Sequence, residues 1–196
     1  MNRFSRYLRS RGHERGAAIV ETALITPLLL LLSLGGAEVG FRIRDHQTVT
    51  NASRAAARVI SSSGDSRLAD YDALSTLQAA LGSFDTADVV RIIVFKPEPD
   101  GSLPVLCEAS AVADLCTQYD GSDLSVLPGT FVGTTSCTAG SPDENWCPLD
   151  RERSAAIGPD WIGVRVEVQH ESFAPYLADR LVVAQTVMRL EPRFQP

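Results

Sequence analysis

The chain begins polar and basic, becomes apolar for twenty-one residues, and then alternates between helical and strand periodicities. From Ala17 to Ala37 a single charge, Glu21, interrupts the apolar run. As a helix this stretch rises roughly 30 Å, the thickness of a bilayer's hydrocarbon core. It is therefore expected to span a membrane over residues 17–39. Beyond it Phe41, Val49, Ala52, Ala56 and Val59 recur mostly at three- and four-residue intervals, with arginines, Asp45 and His46 between them. That spacing predicts an amphipathic continuation of the same helix over 40–64, stopping near Gly64. Leu68, Tyr71, Leu74, Leu77 and Leu81 share one face of a second helix, predicted from Ser66 to Leu81 with Gly82 at its end.

The period then changes from helical to alternating. "DVVRIIVFKP" is a β-branched run stopped by Pro97, and "PEPDG" is a turn leading toward Val105 and Leu106. "WIGVRVEVQH" places Ile162, Val164, Val166 and Val168 on one face and Gly163, Arg165, Glu167 and Gln169 on the other. "LVVAQTVMRLEP" repeats the device, with Val182, Ala184, Thr186, Met188 and Leu190 on one side and Pro192 at its end. Residues 107–160, rich in Gly, Pro, Ser and Asp, read as an irregular excursion. The expected fold class is α+β, a long N-terminal helix packed on a small, mainly antiparallel sheet, with residues 65–196 as one domain.

Charge gives the pattern a direction. The 196 residues carry a net charge of -6, yet residues 1–16 hold Arg3, Arg6, Arg9, Arg11 and Arg15 against Glu14, leaving -10 on the remainder. A basic head before an apolar span and an acidic body predicts a cytoplasmic N-terminus and an extracytoplasmic domain. The acidic body argues against nucleic acid as its partner. A secretory signal cut after Ala37 is the competing reading; Glu21 at the start of the apolar region and a helical pattern running past the supposed cut weigh against it.

Cys107, Cys116, Cys137 and Cys147 all lie in the acidic body. An even number in an oxidising compartment suggests two disulfides. Of the three possible connectivities, Cys107 with Cys116 and Cys137 with Cys147 close the shortest loops at the least entropic cost. Neither pair has the short spacing of a structural zinc site.

Nothing in the sequence forms a nucleophile elbow, a phosphate-binding glycine loop or a helical histidine pair for a metal. His13, His46 and His170 are expected at the surface, Trp146 and Trp161 as core or loop anchors, and Asp120 and Asp123 in a solvated turn rather than a calcium loop. The Asn51–Ser53 sequon falls inside a predicted helix and is taken as chance. No cofactor and no metal are expected, and the chain is not expected to be an enzyme.

Glu21 still needs a reason, because a carboxylate at the bilayer centre costs about 3 kcal/mol. A cut after Gly16 would make Ala17 the new amino terminus and Glu21 the fifth residue. A free α-amine would then stand one helical turn from a carboxylate, able to pair with it or with the carboxylate of an adjacent subunit.

The stretch "RGAAIVETALITPLLLLLSLGGAEVGFRIRDHQTVTNASRAAARV" resembles the TadE-like minor pseudopilins of tight-adherence (Flp, type IVb) pilus systems. The likeness lies in the glycine and small residues before Val20-Glu21, the leucine run after Pro27, the Gly35-x-x-Glu38-x-Gly40 stretch and the alanine-rich segment ending in Ala57-Arg58. The closing "TVMRLEP" also looks like the family's last strand. The resemblance implies a pilin-like fold. It also implies a prepilin leader over residues 1–16, cut between Gly16 and Ala17 by a membrane aspartyl prepilin peptidase. The implied partners are membrane lipid, a sister pseudopilin, the major pilin and an inner-membrane assembly platform. Major pilins of these systems carry an aromatic residue after the glutamate; Thr22 stands here, and the body is far larger, which favours a minor component. The alternatives are a permanently anchored extracytoplasmic binding or adhesin domain, and a secreted enzyme released after Ala37.

Overall fold

The computed structural model describes residues 4–82, 84–131, 137, 139–172 and 178–192, with side chains from Gly16 onward. The arginines of residues 1–15 and His13 therefore lie outside the described side chains. Helix α1 runs from Phe4 to Ser63, 60 residues or roughly 90 Å. It passes through Pro27 without a break. Two hydroxyls of its apolar half are satisfied internally, Thr22 donating to the Ala18 carbonyl at 2.8 Å and Thr26 to that of Thr22 at 2.7 Å. Gly64, at φ +46°, follows the last turn in the left-handed region that glycine adopts most readily.

Helix α2 spans Ala69–Leu81, starting three residues later than the periodicity predicts, and packs against α1. The four strands are β1 (Val89–Phe95), β2 (Cys116–Tyr119), β3 (Trp161–His170) and β4 (Arg180–Arg189), in the order β2-β1-β3-β4 with every pairing antiparallel. Strand β2 and the short helix α3 (Leu106–Ala109) both come from the region expected to be irregular. Four residues of β2 are too few to show a period, and their role as an edge strand is fixed by pairing with β1. Val105 and Leu106 do not join the sheet; they stand exposed at the start of α3.

The main core lies between the helices and one sheet face. Val49, Ala52, Ala56 and Ile60 of α1 and Leu74, Leu77 and Leu81 of α2 meet Ile92, Val94, Val164, Val166 and Val168. The opposite face buries Ile93 and Phe95 under Leu103, Cys107 and Cys116. Cys107 is bonded to Cys116 and Cys137 to Cys147. The first bridge thus fastens α3 over β2 and closes a second small core.

Three expectations are corrected. His170 is 5% exposed rather than a surface residue, because it sits between two carboxylates of α1. Trp161 anchors nothing and is 53% exposed at the start of β3, whereas Trp146 is buried. Phe41 does not share the buried face of α1 and is 47% exposed, because burial of apolar side chains on that helix begins at Val49.

Candidate functional site: the long helix and its seat on the domain

Helix α1 has two environments along one uninterrupted rod. Ile19, Leu24 and Leu28 through Leu32 are all exposed, and no part of the apolar window is buried among the described residues. By length and composition this is one helix able to cross a membrane. Gly16, Ala17 and Glu21 lie on this unpacked half, and a side chain at Gly16 would meet no atom within 4 Å. Ala17 and Glu21 are one turn apart on the same face.

The second half is gripped at both ends. At the near end Glu38, the first charge after the uncharged stretch, is 3% exposed. Its Oε1 lies 3.2 Å from His170 Nε2 and accepts from the Ser172 hydroxyl at 3.0 Å, with Arg42 Nε at 3.4 Å. Asp45 Oδ2 lies 2.6 Å from His170 Nδ1. Glu38, Arg42 and Asp45 occupy one helix face at intervals of four and three, so the last residue of β3 inserts its ring between two acids on successive turns. Carboxylates only accept, so His170 serves both when each ring nitrogen carries hydrogen.

At the far end Ser61 donates to the Arg189 carbonyl at 2.7 Å, and the Glu191 amide donates to the Ser61 carbonyl at 2.9 Å. Arg153 donates to the carbonyls of Ser62 and Ser63 and to Asp65 Oδ1, placing a cation on the unsatisfied carbonyl end of the helix. Midway, Ser53 Oγ sits 2.9 Å from the Val164 carbonyl and 3.0 Å from the Thr186 hydroxyl. The stretch from Glu38 to Ser63, 26 residues or roughly 39 Å of helix, is thereby fastened to the domain at both ends and midway.

Sequence reasoning missed the polar centre of the domain. Asp70 accepts both guanidinium nitrogens of Arg151, at 2.7 and 2.8 Å, and the Tyr119 hydroxyl at 2.7 Å. Arg151 also lies over the Trp146 ring at 4.7 Å. Burial, then the Asp70 charge, raises the Tyr119 phenol well above its ordinary value. The only sequence signal was Asp70 on the apolar side of α2, between Leu68 and Leu74. Asp120 and Asp123 form a capping box around a 3-10 turn; hydrogen bonds from Ser122 lower Asp120, and burial raises Asp123.

An α+β domain thus sits on one half of a long helix whose other half is bare and apolar enough, by length and composition, to cross a membrane. Residues 16–58 match the family described as TadE-like protein, so the helix carries a TadE-like segment and resembles that of a Tad pilus-associated protein. No curated protein and no solved structure matches the chain.

Proposed function

We propose that this chain is a minor pseudopilin, a non-catalytic structural component of tight-adherence (Flp, type IVb) pilus biogenesis. Its leader, residues 1–16, is cut between Gly16 and Ala17 by a prepilin peptidase. Its basic head faces the cytoplasm and its domain the outside of the inner membrane. Its partners are a sister pseudopilin, the major pilin and the membrane assembly platform. The observation that carries this reading is the division of α1 at Glu38: among the described residues, side-chain burial against the domain begins at that residue, and the apolar window before it is unburied. A bare helix of this kind is held by lipid before assembly and by neighbouring helices after it. The TadE-like match starts at Gly16, the residue that would precede the cut.

The mature N-terminus tests the proposal. Chain isolated from membranes of cells that make the pilus is expected to begin at Ala17. An intact Met1 or Asn2 would favour the permanently anchored binding domain, and Glu38 a secreted protein.

A further inference from the structure

Outside the apolar run, α1 presents a stripe to solvent made of Arg44, Gln47, Asn51, Arg54 and Arg58, all exposed and all within about 80° of helix circumference. None of the three arginines has an ion-pair partner among the described residues. Arg54 and Arg58 are four apart, a like-charge spacing that weakens an isolated helix. This unneutralised stripe belongs to a body of net charge -10.

Among the acidic groups of the domain, two adjoining turns each present a pair of carboxylates. The 3-10 turns Thr86–Asp88 and Gly121–Ser125 both carry Asp-x-x-Asp capping boxes, Asp85 with Asp88 and Asp120 with Asp123. They touch so closely that a Cβ on Gly121 would lie 1.8 Å from the Thr86 carbonyl oxygen. Their carboxylates accept only from their own turns, and none pairs with a cation among the described residues. Asp88 lines a cleft with Phe41 and Asp45, so these turns stand at the height of α1 residues 41–45. Arg54 and Arg58 stand about thirteen residues, roughly 20 Å, farther along the same helix.

We infer that the Arg54–Arg58 stripe is the docking surface for the paired aspartate turns of a second copy of this chain, displaced roughly 20 Å along the helix axis. This rests on the assembly reading above and adds a second copy of this chain to its partners. It involves a different neighbour from an Ala17–Glu21 pairing, whose offset is only about 6 Å. A displacement of 20 Å lifts the second copy's helix out of the bilayer by the same amount, sliding its bare half along the first.

A photo-reactive amino acid at Asn51, within the stripe, tests this in full-length chain in membranes of cells that assemble the pilus. The expected adduct joins Asn51 of one copy to the 85–88 or 120–123 turn of another. Arg54→Glu with Arg58→Glu is expected to reduce it roughly tenfold. Asp85→Asn with Asp120→Asn keeps the capping oxygens but removes charge, and is expected to reduce it comparably while the domain stays folded with at most a small drop in thermal midpoint. An adduct to a different protein, or a yield unchanged by either pair, overturns the inference while leaving the assembly reading intact. A wild-type chain that is never incorporated into pili or pilus precursors overturns both.

Discussion

His170, the last residue of β3, lies 2.6 Å from Asp45 and 3.2 Å from Glu38, and so ties the sheet to α1 next to the apolar run. Replacing His170 with alanine leaves two carboxylates facing a void, one of them 3% exposed. The expected cost is about 2–4 kcal/mol. The loss is local: hydrogen exchange is expected to speed up over residues 38–48 of α1 and stay protected over 52–60. Uniform loss of protection along the helix would contradict this placement.

Arg151 and Asp70 form the buried ion pair of the domain, both side chains fully inaccessible. Arg151→Met strands the carboxylate beside the Tyr119 hydroxyl, and a loss of about 3–5 kcal/mol is expected from denaturant unfolding of the disulfide-intact protein. Asp70→Leu with Arg151→Met removes both charges and is expected to cost less than the single change.

Tyr119 gives the domain a sensitivity to alkali. Its folded pKa lies well above the ordinary 10, mainly from burial and then from Asp70. The unfolded chain therefore releases this proton first as pH rises. Stability is expected to be unaffected by this group below pH ~10 and to fall above it. In an ultraviolet titration one tyrosine should ionise only with unfolding, and Tyr119→Phe should remove that step. Ionisation of all tyrosines before loss of secondary structure would refute the assignment.

Glu21 is exposed on a helix half that is unburied among the described residues, so changing it leaves the described fold alone. Glu21→Ala is expected to insert in the membrane normally and keep the domain's melting temperature, while incorporation into pili falls. Pili formed at wild-type levels by this variant would sink the pairing role.

The bridge between Cys107 and Cys116 is fully buried over the second core, whereas Cys137 is only partly covered. Mild reductant is expected to open the Cys137–Cys147 bridge first. Loss of either bridge should cost about 2–3 kcal/mol, the loop entropy of some ten residues. Equal rates of reduction, followed by alkylation and mass spectrometry, would be inconsistent with this difference.

What the sequence determined by itself was local and periodic. Twenty-one apolar residues, a 3.6-residue rhythm beyond them and two alternating strands depend on neighbours along the chain, and α1, α2, β1, β3 and β4 follow from them. The TadE-like character of residues 16–58 is of the same kind, written in one contiguous stretch. Tertiary structure alone decided the order β2-β1-β3-β4 and the recruitment of Cys116–Tyr119 as an edge strand, because pairing joins residues far apart in sequence. It also decided which polar groups are buried. The sequence places His170 at the surface and does not link Asp70 to Arg151; partners 125 and 81 residues away are what make their burial tolerable. The same holds for α1: periodicity predicts one long helix, and the placement of His170 and Arg153 divides it into a half the domain grips and a half left bare.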